Sequence, residues 1–452
     1  MEYIGQTSPA SQNWPMMESN NPKIINAWCM YDWANSAYNL VITTTFFPIY
    51  FSGITTAAYG DRVPFLGRTF KASALYDYAL AFAYLAIAVL LPILSSIADS
   101  RGNKKRFMQF FCYLGGLSCI GLFWFKGAQP NVGWGIACFV LAAIGYIGSL
   151  VFYNSYLPEI SKPEDRDRIS ARGFSMGYIG SVLLQIIGFA LVIFFSNKGD
   201  ETSGPLYTFL LVGFWWIGFA QITFAALPKA RPAGQQDAGF LTTGFLELRK
   251  VWDQVMHLSV LKWFLVAFLF YSMGVQTVML VATLFGKEVL GLPADKLIIT
   301  VVIIQLVAIP GAILISRLSG VFGNLRVLSG VVLVWILICM ATYSITSLKE
   351  GGQNVEFYFY VLAACVGSVM GGIQSLSRST YSKLMPDTQD TASFFSFYDV
   401  TEKLAIVFGI FSFGYIDEVF GMKNSVLVLI VFFGLGLAGL FVARRKEILY
   451  PS

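Results

Sequence analysis

Residues 74–98 read ALYDYALAFAYLAIAVLLPILSSIA, and residues 99–107 behind them read DSRGNKKRF. The first stretch carries a single charge, Asp77, and as a helix it crosses about 30 Å of hydrocarbon. A buried strand would be far shorter. The second stretch turns at Gly102 and sets Lys104, Lys105 and Arg106 against a membrane surface. Comparable apolar runs recur along the chain, which is 56% hydrophobic and only 13% charged with a mean hydropathy of +0.64. An ordinary soluble domain is about 25% charged. Lipid offers the backbone no hydrogen bonds, and the runs lack barrel-type alternation, so they must be helices and the fold is an all-α membrane protein.

The pattern predicts spans near 28–51, 74–98, 107–126, 133–156, 173–196 and 206–227, then 261–284, 297–316, 327–347, 357–377, 394–414 and 425–443. Twelve transmembrane helices therefore fall into two halves of six, separated by a polar stretch that contains PKARPAGQQDAG (228–239). The expected organisation is a tail at 1–27, a first half at 28–228, a linker at 229–260, a second half at 261–444 and a tail at 445–452. Lys104–Arg106, Arg166, Arg168, Arg172, Lys229, Arg231, Arg249, Lys250, Arg378, Lys383 and Arg444–Lys446 fall on one side. Their excess puts both termini and the linker in the cytoplasm. Within the linker, Phe245, Leu248, Trp252 and Val255 recur at helical spacing, which predicts an amphipathic helix on the cytoplasmic membrane surface.

Other function classes find little support. The net charge of +5 is spread over membrane loops rather than gathered for nucleic acid. The six cysteines sit in apolar runs without metal-ligand spacing, and the single histidine, His257, reads as a surface residue near the linker. No Walker loop, zinc motif or nucleophile elbow is present, so neither an enzyme nor a cofactor is expected. The first 27 residues lack the basic and apolar regions of a removable signal peptide.

The loop SSIADSRGNKKRF (95–107) has a weak echo in SRLSGVFGNLRVL (316–328), which pairs Asp99 with Gly320 and Asn103 with Asn324. The first loop resembles the GxxxDRxGRR signature between helices 2 and 3 of the major facilitator superfamily, with Ser95 and Ser100 as departures. Asp99 can accept hydrogen bonds from a helix N-terminus or a basic side chain. The resemblance implies a latch between the halves there; the plainer reading is a topogenic basic loop. WCMYDWANSAYNLVITTTFFPIYF (28–51), RISARGFSMGYIGS (168–181), GGIQSLSRSTYSKLMP (371–386) and SFFSFYDVTEKLAIVFG (393–409) are similar to the branch of fungal vacuolar amino-acid effluxers tied to autophagy and their bacterial relatives. That resemblance implies the major facilitator fold, two pseudo-symmetric six-helix halves and transport. With no fungal extensions in view, it implies the bacterial side of the branch.

Polar residues inside the spans are the candidate site. Asp32, Asn35, Ser36, Asn39 and Thr43 form one stripe on a straight helix, and a carboxylate there costs about 2.5–3.5 kcal/mol on insertion scales unless it meets water or a partner. Asp32 is thus either a cavity or coupling group or an interfacial gate. In the eleventh span Asp399 and Lys403 have the i, i+4 order of an ion pair, with Glu402 displaced from their face. They form either a self-satisfied pair or a gate that exchanges partners with Arg378 or Asp32. In major facilitators helices 1, 4, 7 and 10 line the cavity, which makes Asn35, Asn39, Asn154, Gln276 and Gln374 the cavity residues by resemblance, while each alone also reads as an interhelical hydrogen bond. Asp32, Asp99, Arg378, Asp399, Glu402 and Lys403 are the coupling or gating set.

The expected function is secondary active transport of a small solute, with amino acids and small peptides the first candidates, by a monomer in the cell (plasma or inner) membrane. If protons or another ion drive it, Asp32 is the carboxylate expected to change charge. Two rivals stay open: an exporter of hydrophobic or drug-like compounds, and a non-transporting receptor or scaffold.

Overall fold

The computed structural model describes residues 20–228 and 240–449. Residues 1–19 and 450–452 of the expected tails, linker residues 229–239, and the side chains of Phe245 and Glu247 lie outside the described residues.

The first half contains α1 (Pro22–Tyr59), α2 (Ala72–Arg101), α3 (Lys104–Gly121), α4 (Val132–Ser155), α5 (Arg166–Ser196) and α6 (Ser203–Ala226). The linker forms α7 (Phe240–His257). The second half contains α8 (Ser259–Glu288), α9 (Ala294–Phe322), α10 (Asn324–Glu350), α11 (Glu356–Leu384), α12 (Thr391–Phe420) and α13 (Met422–Leu449). Among the described residues, eleven helices are long and apolar enough by composition to cross a membrane. The remaining helix of the twelve, α12, is 30 residues long but carries Asp399, Glu402 and Lys403.

The helices overrun the hydrocarbon-length stretches of the sequence because local signals outside those stretches set their ends. Pro22 occupies the first position of α1, and the Asn21 side chain accepts from Lys23 N at 3.0 Å. Gly102, at φ 64°, closes α2 in the left-handed conformation that an L side chain resists. Between α1 and α2 the chain adds a hairpin, β1 (Val63–Phe65) and β2 (Arg68–Phe70), antiparallel with Val63 opposite Phe70. Its turn residues Leu66 and Gly67 both have positive φ. The span pattern places no element in this segment.

The same packing recurs in the two halves. Helix α1 packs on α5 and α6 as α8 packs on α12 and α13; α3 packs on α4 and α6 as α10 packs on α11 and α13. Between halves, α2 meets α12 and α5 meets α9, again as a pseudo-twofold pair. Large apolar side chains such as Phe82, Val89, Phe214, Leu314 and Phe411 point outward, the surface a lipid solvent requires. Helix α7 lies against α2 and α12. It buries Val251 and Val255, sets the half-exposed Trp252 ring 5.6 Å from that of Phe397, and places Lys250 Nζ 3.2 Å from Asp390.

Close backbone approach carries part of this packing. A Cβ on Gly145 of α4 would lie 2.5 Å from Gly115 Cα and N and 2.6 Å from Phe111 O, all backbone atoms of α3. Nothing flexible can give way there. Gly145→Val is expected to force α3 and α4 apart and to cost at least the ~1–3 kcal/mol of overpacking, read as a lower melting temperature of the purified protein in detergent. An unchanged melting temperature would show that the two helices can slide past the added methyls.

Candidate functional site

A cavity of about 130 Å³ lies between the halves, large enough for several waters or a small polar solute. Asp32, Ser36 and Asn39 of α1, Asn154 of α4, Gln276 of α8, Gln374 and Arg378 of α11, and Asp399, Glu402 and Lys403 of α12 all line it, with Tyr84, Tyr146, Tyr178 and Tyr398 forming much of its aromatic wall. Two residues of the predicted stripe do not. Asn35 is fully buried behind the wall with its Nδ2 unpartnered, and Thr43 is buried with its Oγ1 unpartnered. The physical reason for Thr43 is a π-helical segment at Tyr38–Phe46, whose i→i+5 bonding adds residues to each turn and rotates Thr43 off the face that carries Asp32 and Asn39.

Arg378 reaches across the interface. Its Nη1 and Nη2 both lie 3.2 Å from Asp32 Oδ2, Nη1 is 3.2 Å from Asn154 Oδ1, and Nε donates to Ser170 Oγ at 2.9 Å. The Tyr153 hydroxyl donates to the same Asp32 oxygen at 2.7 Å. The guanidinium also stacks near Trp28 (4.8 Å) and Phe174 (4.3 Å). Asp32 and Arg378 are 4% and 2% exposed, so each charge relies on the other. Gly173 allows this: a Cβ there would meet Asp32 Oδ2 at 2.5 Å and Arg378 Nη2 at 3.0 Å.

On the opposite wall Lys403 keeps the expected i, i+4 ion pair with Asp399 but lies nearer to Glu402. Its Nζ is 2.7 Å from Glu402 Oε2 and 3.7 Å from Asp399 Oδ1. Gln276 donates to Glu402 at 3.0 Å, so Glu402 belongs to the group rather than standing apart from it. Gln374 is held as well, accepting from Tyr178 at 3.0 Å.

Below the cavity, at the end bearing the basic loops, hydrogen bonds join the halves. Asp99, the last acid of α2, accepts from Ser393 N at 2.7 Å, Ser393 Oγ at 2.8 Å and Ala392 N at 3.3 Å, all at the start of α12. Beside it the buried Lys104 bonds Glu159 and donates to Thr391 Oγ1 at 2.7 Å. The pseudo-symmetric position has no carboxylate in its loop, where Gly320 stands opposite Asp99 in the repeat. The helix supplies it instead: Asp167 in the first turn of α5 accepts from Ser319 Oγ (2.8 Å), Asn324 Nδ2 (2.8 Å) and Lys383 Nζ (2.6 Å). Arg166 Nη1 donates to Ser382 O at 2.8 Å on the same side. Lys104, expected with Lys105 and Arg106 at the membrane surface, is instead buried, its ammonium satisfied by Glu159 and Thr391. Asp167, Glu159, Tyr153 and Ser170 were not singled out by the sequence. Asp167 alone left a visible signal, as an acid in the first turn of a helix.

Among the described residues, no group of three or more His, Cys, Asp or Glu side chains is placed to hold a metal ion. His257 is exposed, with Nδ1 2.6 Å from Asp253 O one turn back.

Against this geometry the comparisons are consistent with one another. A family profile described as "Vacuole effluxer Atg22 like" matches residues 20–447. The chain is 29% identical to the uncharacterized MFS-type transporter YxiO of Bacillus subtilis over 91% of this chain and 92% of that one. It is 25% identical to Autophagy-related protein 22 of Saccharomyces cerevisiae over 87% and 86% of the two chains. Among solved structures, the proton:xylose symporter XylE superposes with a TM-score of 0.72 at 14% identity over 93% of this chain and 96% of that one. The E. coli fucose:proton symporter FucP superposes with 0.65 at 13% over 93% and 98%.

Proposed function

The chain belongs to the Atg22-like vacuole effluxer family within the major facilitator transporters, and from that membership we propose that it is a secondary active transporter of a small polar solute, working by alternating access. The observation that carries this reading is the cavity between the halves, lined by charged and amide side chains from both and closed at one end by the Asp99 and Asp167 hydrogen bonds. In it Asn39, Asn154, Gln276 and Gln374 contact the cargo, and Asn35 braces the wall from behind. The Asp32–Arg378 pair and the two carboxylate latches form the gate at the basic end. Segments 28–228 and 261–444 rock against each other, with 229–260 as the connector. The basic loops and both termini face the cytoplasm of a cell membrane, which makes this an outward-facing state. A cavity this small and this charged suits amino acids or small peptides better than bulky apolar compounds.

A thermal-shift screen of the purified protein tests this. Amino acids and small peptides are added first, and a substrate at about 100 times its Kd stabilises by about 2.7 kcal/mol. The hit is then expected to exchange across proteoliposomes in counterflow. Stabilisation without exchange would favour a receptor, and a shift only with bulky apolar compounds would favour a drug exporter.

A further inference from the structure

We propose that the Asp399, Glu402 and Lys403 group of α12 is a proton-binding site in the cavity wall, in which Asp399 takes up the proton and Lys403 is shared between two carboxylates. Its purpose rests on the transporter reading above; its chemistry rests on geometry alone.

Two carboxylates and one ammonium leave one negative charge in excess. Lys403 sits 2.7 Å from Glu402 and only 3.7 Å from Asp399, and Glu402 also receives Gln276. Asp399 Oδ2 has no hydrogen-bond partner, although Asp399 is 2% exposed. An ionised oxygen in that position forfeits its solvation without a return.

Among the described residues, the surroundings supply no second cation. Tyr84 of α2, Tyr146 of α4, Tyr398 of α12 and Tyr271 of α8 offer neutral hydroxyls, with Lys403 Nζ 5.9 Å from the Tyr84 ring centre. Arg378 of α11 is committed to Asp32, whose charge it balances. Between Ser425 and Ala443, α13 has no charged residue. On α7, Lys250 pairs with Asp390, which immediately precedes α12. A proton is the smallest positive charge that balances the trio, and two carboxylates sharing one site cannot both remain ionised cheaply.

The position also couples proton to cargo. With Asp399 protonated, Lys403 stays on Glu402 and Glu402 holds Gln276. When the proton leaves, the new negative charge on Asp399 draws Lys403 toward it over one helical turn, which releases Glu402 and Gln276, both cavity-lining, to rearrange around solute.

Infrared difference spectra of the full-length protein in liposomes, taken between acid and alkaline buffer, read this without any substrate or flux. The wild type is expected to show a protonated-carboxyl C=O band that disappears on titration. Asp399→Asn should lose that band, whereas Asp32→Asn should keep it. Lys403→Gln, which keeps Asp399, should move the titration to more alkaline pH because the neighbouring ammonium is gone. A band that survives Asp399→Asn, or that disappears in Asp32→Asn with Asp399 intact, would overturn the assignment. So would a Lys403→Gln midpoint equal to that of the wild type. None of these results bears on whether solute crosses the membrane, so the site and the transporter reading stand or fall separately.

Discussion

Arg378→Leu is expected to be the most destabilising single change in the cavity, costing about 3–5 kcal/mol because it strands the buried Asp32 carboxylate without its cation. The loss extends beyond one ion pair. Arg378 also ties Asn154 and Ser170 of the first half to α11 and lies against Trp28 and Phe174. Asp32→Asn should cost less, about 1–3 kcal/mol, since the amide can still accept from Tyr153 while the guanidinium keeps Ser170. The double variant Asp32→Asn with Arg378→Leu should recover part of the single-variant loss, as no uncompensated carboxylate remains. Thermal and denaturant unfolding of the four proteins completes the cycle. If Arg378→Leu unfolds within about 0.5 kcal/mol of wild type, as an unremarkable surface change does, the pair carries no structural weight. Additive single effects would likewise show that Asp32 and Arg378 do not depend on each other.

Much of the fold was legible in the sequence because the solvent enforces it. A run such as 74–98 has no alternative to a helix in hydrocarbon, so the existence and order of the spans follow from run length. Helix extent does not, because hydropathy reports only the portion in lipid, and the overrun of α1 to Pro22–Tyr59 depends on Asn21 and Pro22 at one end and Gly60 at the other. The candidate site was legible to the extent that it depends on periodicity within one helix. Asp32, Ser36 and Asn39 share a face for that reason. Periodicity failed where the helix itself changes pitch, and the π-helical segment carries Thr43 away from the stripe. It also says nothing of partners. Asp32 and Arg378 are 346 positions apart, and Glu402 takes a hydrogen bond from Gln276 of α8, over a hundred positions away. The repeat in the two loops was a fair guide to where the second contact between halves would lie, but it showed only a Gly320 where the carboxylate was missing. The acid had moved to the other side of the seam, to Asp167.

That exchange of sides predicts how the closed end opens. On one side of the pseudo-twofold seam the last turn of α2 offers Asp99 to the start of α12; on the other the first turn of α5 offers Asp167 to Ser319 at the end of α9 and Asn324 at the start of α10. Each carboxylate accepts several hydrogen bonds, so truncating it leaves donors unpaired at about 1–3 kcal/mol. Asp99→Ala and Asp167→Ala alone should therefore loosen the basic end only in part, with the other latch still made. Because the two sit on different helix pairs and share no partner, their effects should add, to about 2–6 kcal/mol. A shift of that size moves a two-state equilibrium by more than tenfold and, at the upper end, inverts a 99:1 population. Spin labels at Arg168→Cys and Asp387→Cys, exposed positions in the two halves, report the distance by pulsed electron resonance once Cys365, an exposed native cysteine, is replaced by Ser. The latched parent should give one short distance, each single variant a minor longer one, and the double variant a dominant longer one. A double variant with the parent distribution would mean that the closed end is held by packing of α2 on α12 and α5 on α9, and that the paired carboxylates only follow it.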